Sequence, residues 1–149
     1  MTGLHPQLSS LTPLTPLTPP NKILPNSKQP SSRESCQVDF EHKNMEQKQQ
    51  IMQAIAKRAH EVTPPGSTVL LFGSQARGDA RPDSDWDVLV LLDKDKITFQ
   101  DEDEIAYPIH TVGWDYNEMI NPILYTFRDW QDNRIAVFRQ NVLEDAIPL

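Results

Sequence analysis

The chain has 149 residues, with 14 Lys and Arg against 21 Asp and Glu and a formal charge of −7. That length has room for one small domain, and an acidic balance with no basic stripe argues against a long nucleic acid as partner. Cys36 is the single cysteine, so no intrachain disulfide can form and a reducing, cytoplasmic setting fits; no apolar run approaches the roughly 18 residues that would span a bilayer.

The N-terminal segment carries LTPLTPLTPP and then a stretch rich in Pro, Ser, Asn and Lys. Each proline removes an amide donor and restrains its neighbour, so residues 1–44 are expected to be a disordered tail rather than part of a core. Its layout is not that of a signal peptide. Met45 opens the first periodic segment and is a candidate start. The tail then reads either as a mis-assigned start or as a tether, and the residues leave both open. The folded domain is expected over residues 45–149.

Ile51, Ile55, Ala59 and Val62 recur at helical spacing, which predicts an amphipathic helix from about Met45 to Glu61, stopped by Pro64-Pro65-Gly66. Thr68–Phe72 reads as a buried strand, Gly73-Ser74 as a turn into a short helix, and Gly78–Pro82 as a polar loop. Trp86–Leu92 is a strand apolar on both faces and therefore expected to be covered on both. Gln100 to about Asn117 reads as a second long helix that Pro108 should kink. Ile120–Thr126 reads as a third strand, peripheral because Pro122 lacks a ladder donor. From Asp129 onward the pattern is helical, with Ile135, Phe138 and Val142 facing inward. The order αβαβαβα predicts an α/β (α+β) fold, a small mixed sheet of at least three strands with flanking helices. Lys94, Lys96 and Asp101–Glu104 are expected to be solvated, Trp86 to pack in the core, and His110 to be no ligand.

The chemistry concentrates in GSQARGDARPDSDWD, Gly73 to Asp87. Taken singly, a Gly-Ser turn is most often a plain loop and a D-x-D pair most often solvated. Together they ask for more. Gly73 permits a turn or a close backbone approach, Ser74 can donate toward phosphate from amide and hydroxyl, and Gly78 frees the far side of the turn. Asp85 and Asp87, two apart, point the same way about 6–7 Å from each other along a strand. Such a pair repels itself unless a cation lies between, which points to a divalent metal, and Mg2+ can bridge carboxylates to phosphates. For Ser74 and Asp85 to reach one ligand, the two strands must run antiparallel.

Gly73-Ser74, ten residues and then Asp85-Trp86-Asp87 resembles the signature of the polymerase-beta-like nucleotidyltransferases, and within them the minimal MNT-type proteins. The likeness covers roughly Met45–Trp130 and also takes in Arg77-Gly78. It implies that the Gly73-Ser74 turn, with Arg77 and Gly78, holds the phosphates of ATP or another NTP. It implies that Asp85 and Asp87 bind Mg2+ (or Mn2+) and that a nucleoside monophosphate passes to an acceptor with release of pyrophosphate. The third carboxylate of that family falls at Asn121, which can ligate a metal only weakly and cannot take a proton as a carboxylate does. Glu118 is expected to take its catalytic place, with Asp115 as the other candidate; the ordinary reading of both is a solvated charge. With about two dozen residues left after the third strand, the resemblance also implies a separate partner, a helical HEPN-type protein in a toxin-antitoxin pair. The runner-up to an enzyme is a nucleotide-binding partner protein of antitoxin type. No zinc cluster, hydrolase triad or dinucleotide-binding fingerprint is legible.

Overall fold

The computed structural model describes residues 32–149. Helix α1 spans Ser32–Val62, strand β1 Thr68–Phe72, the short helix α2 Ser74–Arg77 and strand β2 Trp86–Leu92. A composite helix follows: α3 at Phe99–Asp101, a π-helical stretch at Glu102–Ala106 and α4 at Tyr107–Tyr116. Strand β3 is Ile120–Thr126, α5 Phe127–Trp130, and a 3-10 turn at Asn133–Ile135 leads into α6, Ala136–Asp145, and strand β4, Ile147–Pro148.

The sheet order is β3-β2-β1-β4. β1 pairs antiparallel with β2, Phe72 opposite Asp87, and β2 pairs parallel with β3, Asp87 opposite Asn121. β4 adds antiparallel to the free side of β1, Leu71 opposite Ile147. Pro122 thus lies on an edge strand, as its missing donor requires. The antiparallel β1–β2 pair is the arrangement that the shared-ligand argument demands.

Alternation of side chains across the pleat builds two cores. On one face Val69 and Leu71 of β1 and Trp86, Val88, Val90 and Leu92 of β2 meet Ile51, Ile55 and Ala59 of α1 and Ile109 and Val112 of α4. On the other, Phe72, Leu89 and Leu91 pack with Trp130 of α5 and Val142 and Phe138 of α6. β2 is therefore covered on both sides, which is why its sequence is apolar without a break.

Two boundaries differ from the sequence reading. α1 begins at Ser32 rather than near Met45. Between Pro30 and Pro64 no proline interrupts a run rich in Arg, Glu, Gln and Lys, and such residues favour helix by propensity alone, without an apolar period in the sequence to announce it. The helix over Gln100–Asn117 starts at Phe99, and it accommodates Pro108 through the π-helical stretch. That places the proline just after the wider π-helical turn, at the start of α4. Residues 1–31 lie outside the described residues, and most of the expected tail with them. Among the described residues no helix is long and apolar enough to cross a membrane.

Asp101 is not solvated surface as expected. It is buried, its carboxylate accepts from the Thr98 amide at 2.7 Å, and its own amide donates to the Thr98 hydroxyl at 3.3 Å, a capping box that opens α3. The Lys94 ammonium donates to its second oxygen. Thr98 and Asp101, short polar residues three apart, carry this capping signal, which outweighs their hydrophilicity.

Candidate functional site

β1 runs into Gly73, whose φ of 75° lies where side chains are strained. A Cβ on Gly73 would also sit 2.8 Å from Asp87 Oδ2. Glycine is favoured by the positive φ of the turn, and a side chain there would also have to displace the Asp87 carboxylate of the neighbouring strand. The Ala76 and Arg77 amides donate to the Gly73 carbonyl at 3.1 and 3.0 Å, winding α2, and Gly78 closes it with φ of 85° and its amide on the Ser74 carbonyl. The turn, Ser74 and Asp87 therefore meet at one end of the β1–β2 pair.

Asp87 is half-buried and Asp85 exposed, one residue before β2 begins. Desolvation lifts the Asp87 carboxyl above its ordinary range; the Asn121 amide pulls it back, and the charges of Asp85 and Asp145 push it up further. Two carboxylates acting on each other at a strand start are what a divalent cation relieves. Asn121 Nδ2 donates to Asp87 Oδ1 at 3.2 Å from the adjacent position of β3. Asp85, Asp87 and the Asn121 carbonyl are hard oxygen donors of the kind Mg2+ takes, and that ion commonly uses one or two carboxylates with phosphate and water completing the shell. Among the described residues no three His, Cys, Asp or Glu come together at metal-binding distance, so protein carboxylates alone do not form a closed cage here.

The structure does not bring Glu118 to this group. Its carboxylate accepts from the Trp86 indole at 3.1 Å, and Trp86 is buried in the core on the opposite face of the sheet from Asp87. Asp115 is exposed near the end of α4, the helix covering that same opposite face. The expected third carboxylate is thus absent from the β3 side, where Asn121 stands. His110, expected to be no ligand, bonds through Nδ1 to the Ile120 carbonyl at 2.7 Å and so ties α4 to the start of β3.

Three contributors escaped the sequence reading. Gln75, buried in α2, donates from Nε2 to the Ser84 carbonyl at 3.2 Å and so holds the residue preceding Asp85. Lys48 of α1 donates to the Gln75 carbonyl at 2.6 Å. Asp145, the last residue of α6, accepts from the Gly73 amide at 3.3 Å and from Arg77 Nη1 at 2.6 Å. A buried glutamine in a short polar helix was the one signal in the string; nothing local marks Asp145.

Comparison with known proteins identifies the family of the chain. A protein of Methanocaldococcus jannaschii bearing the name "Putative protein adenylyltransferase MJ0141" is 40% identical over 57 residues, 38% of this chain and 57% of its own length. The chain therefore spans little more than half of that relative. A chain from a solved structure described as a toxin-antitoxin with AMP-PNP aligns over 64% of this chain and 69% of its own, at 20% identity and a TM-score of 0.47. The family model of the nucleotidyltransferase domain matches residues 51–138, which takes in α1 from Ile51 onward, the Gly73-Ser74 turn, both aspartates and all of β3. With that match spanning more than half of its length, the chain belongs to the nucleotidyltransferase domain family.

Proposed function

We propose that this chain transfers a nucleoside monophosphate from a nucleoside triphosphate, ATP first among them, to an acceptor hydroxyl on a protein. The observation that carries the reading is the approach of the Gly73 turn to Asp87, where a Cβ would sit 2.8 Å from the carboxylate oxygen Oδ2. Family membership supports the reaction class, and the name of the Methanocaldococcus jannaschii relative supports the adenylyl group and the protein acceptor. In the balanced step, the acceptor oxygen bonds to the α-phosphorus and the bond to the β-phosphate bridge breaks. Pyrophosphate then leaves, and the hydroxyl proton passes to a carboxylate or to water. Ser74 and the turn hold the phosphates, and Arg77 offers a guanidinium to them. Asp85 and Asp87, assisted by Asn121, would hold Mg2+ (or Mn2+), which supplies charge neutralisation at the α-phosphate when bound.

Asn121 and the turned-away Glu118 favour a second reading, a nucleotide-binding partner protein of antitoxin type with little or no transferase activity. A helical HEPN-type protein is the partner that the motif resemblance suggests for either reading. Calorimetry with Mg2+ and AMP-PNP, followed by labelled ATP with candidate acceptor proteins, separates the two. Asp85→Asn and Asp87→Asn should each weaken Mg2+-dependent binding by roughly 10- to 100-fold. Unchanged affinity in both would dismiss the site. Transfer of label by the wild-type chain supports the enzyme; binding without transfer, together with transfer by Asn121→Asp, supports the partner protein whose third ligand has been lost.

A further inference from the structure

Asp145 stands at the edge of this site on the face that also carries Asp87. Its side chain is 11% exposed, its Oδ1 accepts from the Gly73 amide at 3.3 Å, and its Oδ2 accepts from Arg77 Nη1 at 2.6 Å. A backbone amide at a glycine turn and an arginine guanidinium are donors suited to an oxyanion with two oxygens free, whether carboxylate or phosphate. Those donors belong to the residues that the proposed function assigns to the triphosphate, and a negative side chain of the same molecule already engages both. The charge of Asp145 also reaches Asp87, so its presence adds to the repulsion that an entering polyanion meets.

We propose that the Asp145 carboxylate is a built-in phosphate mimic, an autoinhibitory contact that occupies the Gly73 amide and Arg77 until the triphosphate displaces it. This rests on the reading that the triphosphate binds at the Gly73-Ser74 turn. Displacement is a side-chain rotation, because the backbone on either side is fixed. The Ala146 amide donates to the Val142 carbonyl at 2.9 Å, β4 pairs with β1, and the Leu149 amide donates to the Val69 carbonyl at 3.0 Å. Arg77 is half exposed, so water screens the pair and the contact attenuates binding rather than abolishing it. A site open for only a fraction of the time shows an affinity reduced by that fraction.

The test is calorimetry on the full chain with two probes, inorganic tripolyphosphate and AMP-PNP with Mg2+. Asp145→Asn and Asp145→Ala should bind both probes roughly tenfold more tightly than the wild type, since the competition is for phosphate oxygens and not for the base. Equal or weaker binding by a folded variant, while the wild type binds, overturns the gate alone and makes Asp145 a positioning residue for the turn. No binding of either probe to the wild type or the variants overturns the nucleotide reading and the gate with it. A measurement on the unaltered chain guards against variants that fail to fold. During a tripolyphosphate titration, the Gly73 amide and the Asp145 carboxyl carbon should shift along one isotherm by NMR. A shift at Gly73 with Asp145 unmoved overturns displacement.

Discussion

At the scale of single residues the site is set by what glycine permits. Gly73 and Gly78 both have positive φ, yet a Cβ at Gly73 meets Asp87 Oδ2 at 2.8 Å and a Cβ at Gly78 meets nothing within 4 Å. Gly78→Ala should therefore cost only backbone strain, about 1 kcal/mol, and leave nucleotide binding within a few-fold of the wild type. Gly73→Ala adds to that strain the displacement of the Asp87 carboxylate, and should cost about 1–3 kcal/mol and weaken nucleotide binding by roughly tenfold or more. Urea denaturation and calorimetry on the two variants read both effects; equal losses would mean that the approach to Asp87 plays no part. The Gly73-Ser74 turn and the placement of Asp87 beside it were legible in the string because they follow from local rules: a turn that favours glycine, and a two-residue period along a strand. Glu118 was misplaced by the same kind of reasoning, since distance along the chain from β3 does not tell which face of the sheet a loop residue turns to. The indole of Trp86 decided that.

At the scale of elements, the loop before α3 carries an electrostatic device that hydrophilicity disguised. Burial alone would raise the Asp101 carboxyl, but hydrogen bonds from Lys94 and Thr98 outweigh it and hold the group below the usual carboxylate range. A carboxylate depressed in the folded state stabilises fully above its unfolded value, near 4, and loses that contribution as pH falls through the folded value. Asp101→Asn should thus cost about 1–2 kcal/mol at pH 7, from the lost capping bond and ion pair. The deficit should shrink below about pH 4, where the wild type protonates as well. Denaturant titrations across pH 3–7 check this, and a deficit that holds constant down to pH 3 would assign the loss to shape rather than charge. The composite helix that follows shows how an expected kink is absorbed: the π-helical stretch precedes Pro108 and lets Ile105, Ile109 and Val112 all reach the core. β4 could not be foreseen, because two residues, one of them proline, carry no strand periodicity.

At the scale of the whole molecule, the described domain draws its stability from the two faces of one four-stranded sheet. Between residues 41 and 50 of α1 only Lys48 is even partly covered, and Ile51 follows as a buried core residue. Removing residues 1–44 should leave the melting temperature within about 2 °C of the full chain, since Ile51, Ile55 and Ala59, which tie α1 to the described core, all lie beyond that segment. A larger drop in differential scanning calorimetry would show that this segment packs on the domain. The linear chain determined the elements that bury apolar faces, the αβαβαβα order, the edge position of β3 and the Gly-Ser turn beside an Asp pair. Each depends on periodicity or on the conformational needs of one residue, and those are properties of neighbours in sequence. Only the tertiary structure decided which charges share the site. Register put Asn121 beside Asp87, the face of the sheet took Glu118 away, and the return of α6 brought Asp145 to the Gly73 amide across 72 positions of chain. Contacts of that span are fixed by how whole layers pack, and no local pattern encodes them.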